Sequence, residues 1–288
     1  MCDSANNQGY VVDTSFSRRS VVLTMTSAAA LAGLPTAALA ANVVEKDVMV
    51  PTPDGSADAA LFYPAGKGSW PAVLMWPDIL GLRPVFRDMG RRLAGAGYTV
   101  LVPNPFYRTK RAPIVTGPFD FNDPKQLQPL LDLKATLTDA RVDSDADAFI
   151  KFLDAQKQTN RRKKAGVQGY CFSGPFAFHT GAVRPDRIRA VATFHGGGLV
   201  TRDANSPHLL IPKTKASFVV AIARNDDQKQ PDAKDTLRAA FAASKRPAVA
   251  EVYPADHGWC VPGSQPYDHA AAERAWAELL RLYPANLV

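Results

Sequence analysis

Short apolar runs recur along the chain, each closed by polar or turn-forming residues. Ala72–Met75, Tyr98–Val102, Ala165–Gln168, Ala190–Phe194, Phe218–Ala223 and Val249–Tyr253 are such runs. Apolar throughout and only a few residues long, they fit strands covered on both faces. Between them, helical spacing predicts helices over Val85–Ala96, Leu137–Ala155, Pro175–Ala182, Ala233–Ala243 and His269–Leu282. Val48–Val50 and Ala59–Tyr63 flank the turn-rich PTPDGS and predict a hairpin. The stretch from Arg108 to Gln128 is rich in Pro, Gly and Asp and reads as a loop long enough to cover a site. Strands alternating with helices predict an α/β fold: one domain over 41–288, a mostly parallel central sheet with helices on both faces.

Residues 1–40 stand apart from this pattern. Arg18 and Arg19 precede an uncharged, Ala-rich stretch broken by Pro35, and Ala38-Leu39-Ala40 offers a small-x-small cleavage site. This is the pattern of a twin-arginine export signal, and it places the mature protein in the periplasm or outside the cell. The stretch is poor in Leu and Ile for a membrane anchor, so no stable membrane insertion is expected after cleavage; an uncleaved anchor is the alternative. Sequencing the N-terminus of the exported protein checks this; a chain beginning upstream of Arg18 contradicts it.

At 46% hydrophobic and 21% charged residues, composition excludes a disordered chain. The net charge of +7 favours solubility and draws in anionic substrates. It does not imply nucleic acid: Arg161–Lys164 (RRKK) has no interleaved aromatics and reads as a solvated turn. Cys2 falls in the export segment. Cys171 and Cys260 remain, too few for a disulfide framework. No metal-ligand spacing and no cofactor motif is present, and a monomer is expected.

Parallel sheets bind ligands beyond the carboxyl ends of their strands. Polar punctuation falls there, at Asp78, Arg108, Cys171, Asp226 and His257. Gly169–Gly174 (GYCFSG) lies between a strand and a helix and imitates the G-x-S-x-G elbow, with Cys171 at its apex and Ser173 in place of the second glycine. Such a turn pushes the apical side chain out over the sheet edge. The following helix N-terminus favours negative charge on the sulfur. The plain alternative is a small buried cysteine. His257, in DHGW after the last strand, sits where a general base belongs. Asp226, in RNDD after the preceding strand, sits where its orienting carboxylate belongs and is preferred to Asp227. Nucleophile, acid, histidine is the chain order of α/β-hydrolases. His179 and His269 fall inside helices and read as structural; His208 has no motif around it. His195 ends a strand and, with Phe194 and Trp259, is a candidate pocket residue.

WPDILGL (Trp76–Leu82), NPFYR (Asn104–Arg108), GYCFSG, RNDD and DHGWC occur in this order. Together they resemble the dienelactone hydrolase family, the carboxymethylenebutenolidases, over about Val43 to Leu282. The resemblance implies an α/β-hydrolase fold, no cofactor, and a Cys-His-Asp triad of Cys171, His257 and Asp226. It implies an oxyanion hole from the backbone N–H groups of Phe172 and Ile79. It also implies that Arg108 holds a substrate carboxylate. Asp78 stands where the family has a glutamate that gates the thiol, one methylene shorter here. GWCVPG lacks a second arginine, and Phe194 stands where a tyrosine is found in the family. These departures weaken dienelactone itself as the substrate but not the reaction class: hydrolysis of a small, anionic ester or lactone. Two rivals remain within reach of the sequence, a general carboxylesterase or thioesterase and a non-enzymatic binding protein on the same scaffold. Thiol redox chemistry through Cys171 and Cys260 is a third, without a C-x-x-C.

Overall fold

Eight strands build one sheet in the computed structural model, which describes Val11–Asp13 and residues 42–288. The expected export segment lies outside the described residues except for Val11–Asp13 (β1), which pairs antiparallel with Pro118–Asp120 (β6). The remaining strands are β2 (Val43–Thr52), β3 (Gly55–Pro64), β4 (Ala72–Trp76), β5 (Thr99–Pro103), β7 (Ala165–Tyr170), β8 (Ile188–Phe194), β9 (Ser217–Ala223) and β10 (Ala248–Tyr253). The helices are α1 (Pro84–Gly95), α2 (Pro124–Ala135), α3 (Asp139–Ala155), α4 (Gly174–Val183), α5 (Arg224–Lys229), α6 (Ala233–Ala243) and α7 (His269–Asn286).

The order across the sheet is β10-β9-β8-β7-β4-β5-β3-β2. Only β3 runs against the rest, antiparallel to both of its neighbours, β2 and β5. The chain builds outward from β4 in both directions, so the order reverses between β4 and β7. That crevice is where open α/β sheets take their ligands.

Both faces of the sheet are packed, which is why the strands read as unbroken apolar runs. Leu61, Leu74, Leu101 and Val167 face α3, α4 and α6, against Phe149, Phe178 and Phe241. Phe62, Val73, Val100 and Ala192 face α1 and α7, against Phe86, Leu93 and Leu279. Burying each such large side chain contributes about 1.5–3 kcal/mol. A buried polar chain fixes α7 to the strand that carries the nucleophile candidate. The Tyr283 hydroxyl donates to Gln168 Oε1 at 2.7 Å, and Gln168 Nε2 donates to the Tyr170 hydroxyl at 2.7 Å.

One segment differs from the sequence expectation. The 108–128 stretch is not wholly loop: it holds β6 and enters α2. Asp123 caps α2 by accepting the Lys125 N–H at 2.9 Å, and Pro124 takes the first helical position, where a missing N–H costs nothing. RNDD, to which the sequence pattern assigned no element, forms the first turn of α5.

Candidate active site

Cys171 leaves β7 at φ 56°, in the left-handed region that a non-glycine residue enters only when its surroundings impose it. Two glycines make this turn possible. A methyl on Gly169 would sit 2.2 Å from the Ser173 carbonyl oxygen, and one on Gly174 would sit 2.7 Å from the Gly196 Cα. Ser173 pins the turn in place. Its Oγ accepts the Tyr170 N–H at 3.0 Å and lies 3.1 Å from the Trp76 carbonyl oxygen, tying the elbow to β4. The helix α4 starts at the very next residue. The short apolar strand, the glycines and the serine together hold one sulfur at the sheet rim.

Cys171, Asp78, Ile79, Leu80, Arg83, Phe121, His195 and His257 line one small cavity of about 20 Å³. A space of ~10–15 Å³ holds a single water, so this cavity has room for little more than that. Phe121 comes from the 108–128 stretch, so that segment does cover the site.

His257 follows β10 and is buried. Its Nδ1 is 2.6 Å from Asp226 Oδ2. This bond commits Nδ1 and fixes the tautomer in which Nε2 is the nitrogen available to the thiol. Asn225, one residue before Asp226, accepts the His257 backbone N–H at 2.9 Å. The first turn of α5 therefore holds both the ring and the backbone of the histidine. Asp227 is committed elsewhere, to Lys234 at 2.8 Å. Of the other histidines, His179 binds Asp143 at 2.7 Å and His208 binds Ser206 at 2.7 Å.

Asp78 opens the turn after β4. Its side chain accepts the Leu80 N–H at 3.0 Å and its carbonyl accepts the Gly81 N–H at 2.8 Å. Those bonds use Leu80 and Gly81, not Ile79, which also borders the cavity. Arg83 was not anticipated. Its guanidinium forks onto Asp78, Nη1 to Oδ1 at 2.5 Å and Nη2 to Oδ2 at 2.8 Å, with both residues buried. Asp78 is thus half of an ion pair at the rim, not a lone carboxylate beside the thiol. Arg83 directly follows WPDILGL, and an Asp and Arg five apart across such a turn is the signal that would have found it.

Three expected pocket residues lie elsewhere. Arg108 forks onto Asp145 at 2.7 and 2.8 Å and donates to Asp54 at 2.8 Å. Its plane also stacks over Tyr107, 4.6 Å from the ring centroid. Asp145 is buried on α3, and burial pushes its carboxyl above the ordinary range against the pull of Arg108 and Tyr107. Arg108 neutralises that charge and does not border the cavity of Cys171. Phe194 turns to the opposite face of the sheet, because side chains alternate along a strand. It stacks on Tyr170 at 5.1 Å and borders a separate apolar cavity of about 160 Å³ between α1 and α7. Trp259 is fully buried and stacks on Tyr253 at 4.7 Å, beneath the histidine loop. Of the three, only Trp259 approaches the site, by an edge contact to His195 at 6.2 Å.

His195 does border the cavity. It is 1% exposed, sits at φ 42°, and meets the His257 ring edge-on with centroids 4.8 Å apart. Neither of its ring nitrogens has a hydrogen-bond partner among the described residues. Leaving such a group unsatisfied costs about 1–3 kcal/mol. Burial, then the neighbouring His257, hold its pKa well below 6.5, so the ring is neutral near pH 7.

Cys171 and Cys260 are not joined in a disulfide. They border different cavities, Cys260 that of Phe194. Burial, then the charge of Asp78, push the Cys260 thiol well up, which keeps it protonated and unreactive. Among the described residues no cluster of His, Cys, Asp and Glu could hold a metal. No helix among them is long and apolar enough to cross a membrane.

An eight-stranded, mostly parallel sheet with helices on both faces and a strained elbow after β7 defines an α/β-hydrolase. Residues 57–286 match the model of the dienelactone hydrolase family, and the chain belongs to that family. A protein of Methylorubrum extorquens assigned as a carboxymethylenebutenolidase is 26% identical over 96% of this chain and 95% of its own length. A Synechocystis protein assigned the same way is 28% identical over 84% of this chain and 98% of its own. A crystal structure assigned as a dienelactone hydrolase of Klebsiella pneumoniae shares the fold. Its TM-score is 0.73 at 22% identity, over 84% of this chain and 99% of that one. The chain is accordingly a hydrolase of carboxylic ester bonds.

Proposed function

We propose that this hydrolase cleaves a small lactone or activated ester by acyl transfer through Cys171, His257 and Asp226. One observation carries the reading: a cysteine at positive φ on the sheet rim shares a cavity with a histidine whose Nδ1 is bonded to a half-buried aspartate. The Cys171 sulfur attacks the carbonyl carbon, and its proton passes to His257. The oxyanion forms between the backbone N–H groups of Phe172 and Ile79, each a donor of the kind that contributes about 3–4 kcal/mol in hydrolases. His257, held by Asp226, returns the proton to the departing alkoxide or enolate. Water then cleaves the thioester.

A thiolate is a better leaving group than an amine anion but not than an activated alkoxide. Esters and lactones therefore suit this site, and amides do not. The cavity also argues for a small acyl group. With Arg108 committed to Asp145, the charge facing the substrate is that of Arg83, which Asp78 already compensates. A substrate carboxylate therefore gains little here, although the bulk charge of +7 still favours its approach.

A panel of p-nitrophenyl acetate, a five-membered enol lactone with and without a carboxylate, an acyl-CoA-like thioester and an anilide tests this. The expected order of kcat/KM puts the lactones and the activated ester at least about 10³-fold above the anilide, with less than tenfold between charged and neutral lactones. Equal rates on ester and anilide, or no hydrolysis of any member, would contradict the proposal.

A further inference from the structure

The mechanism above names a group for every step except the last. Deacylation needs a water held against the thioester carbon, and the hydrogen bonds that hold it must be aimed in advance. His195 is the buried polar side chain in this cavity with nothing yet to do. It is 1% exposed, both ring nitrogens lack a partner among the described residues, and it stands in the left-handed region at φ 42°. A histidine placed there at such a cost is held by its surroundings: the His195 N–H is fixed to the Ala221 carbonyl at 2.8 Å, and the ring is wedged between His257 and Trp259. The cavity it borders has room for about one water.

We propose that His195 positions the deacylating water against the acyl group on Cys171. This inference rests on the thioester reading above and adds a second histidine to it. A neutral imidazole carries one nitrogen with a lone pair. With His195 accepting one O–H of the water and His257 accepting the other, the oxygen lone pair is left facing the thioester carbon. The two rings pack edge-on with centroids 4.8 Å apart and line the same cavity, and in this proposal one molecule bridges them. In the step itself the water oxygen bonds to the carbonyl carbon, and the C–S bond breaks with its electron pair returning to sulfur. The water proton passes to His257 and on to Cys171, and the carboxylic acid leaves. His195 gains no net proton. The low basicity that burial gives it suits that role, because a protonated ring would have no lone pair to offer.

The test separates acylation from deacylation. His195→Gly removes the ring without strain at positive φ, and His195→Asn keeps an acceptor in a residue that tolerates the same backbone. Each is mixed rapidly with excess p-nitrophenyl acetate, and the burst, the steady-state rate and the intact mass are recorded. For His195→Gly the burst stays within about threefold of wild type, while the steady-state rate falls about 10–100-fold and acetyl-Cys171 accumulates. His195→Asn recovers to within about fivefold of wild type. Steady-state turnover of His195→Gly within twofold of wild type would overturn the inference, as would burst and steady state falling together. Should the glycine variant not fold, His195→Ala gives the same readout. A wild-type enzyme with neither a burst nor an adduct on Cys171 overturns the thioester reading and this inference with it. A normal wild-type burst with unchanged deacylation in the variants overturns the inference alone.

Discussion

Cys171→Ala is expected to lower kcat for p-nitrophenyl acetate by about 10⁴–10⁶-fold, the scale on which single removal of a hydrolase nucleophile acts. The sulfur is the only atom lost, and the elbow that presents it is built by other residues. Gly169 and Gly174 give the turn its clearance, Ser173 ties it to β4, and α4 begins directly behind it. Binding should therefore survive, with KM nearly unchanged, and residual activity should come from the oxyanion donors alone. Cys171→Ser is the sharper variant. It keeps shape and backbone, but a hydroxyl is barely ionised near neutrality, so kcat should still fall about 10²-fold or more. Thermal unfolding of both variants within a few degrees of wild type shows that chemistry, not folding, was removed. Full activity in Cys171→Ala would remove the mechanism.

His257→Ala is expected to lower kcat by about 10³-fold, within the usual range for a general acid–base group. The loss should depend on the leaving group. A p-nitrophenolate departs unaided, whereas an alkyl ester needs the proton that His257 supplies. The alkyl ester should thus lose about tenfold more than the p-nitrophenyl ester. Asp226→Asn should cost less, about 10²-fold, because Asn225 still fixes the histidine backbone at 2.9 Å while the ring loses its tautomer control. Equal losses for both leaving groups would contradict His257 as the acid of the first step.

The sequence was informative wherever one strand or one turn decided the outcome. Runs such as Ala72–Met75 and Phe218–Ala223 became β4 and β9 with shifts of a residue, because burial on both faces leaves no polar position to confuse the pattern. The elbow was legible because its glycine spacing is a steric requirement. What escaped depended on partners distant in sequence. Arg108 is held by Asp145, 37 residues on, and only a charged residue amid the apolar stripe of Val142, Ala146 and Phe149 hinted at it. Strand alternation alone would have sent Phe194 and His195 to different surroundings, and it does: one to the α1–α7 cavity, the other to the rim. The helix α2 was hidden by Pro124, taken into the Pro-rich loop although Asp123 stood ready as the cap. The preference for Asp226 over Asp227 needed Lys234 as well, which takes the second carboxylate.

The whole account turns on a covalent bond to one sulfur. Quenching the enzyme in acid during turnover of a slow activated ester, then mapping the acyl group by peptide mass, reads that bond directly. The expected result is one acyl group on the Cys171 peptide, labile to hydroxylamine as a thioester is, and none on Cys260. Turnover with no trapped acyl group at all, or with the group on Ser173 or Cys260, would contradict it.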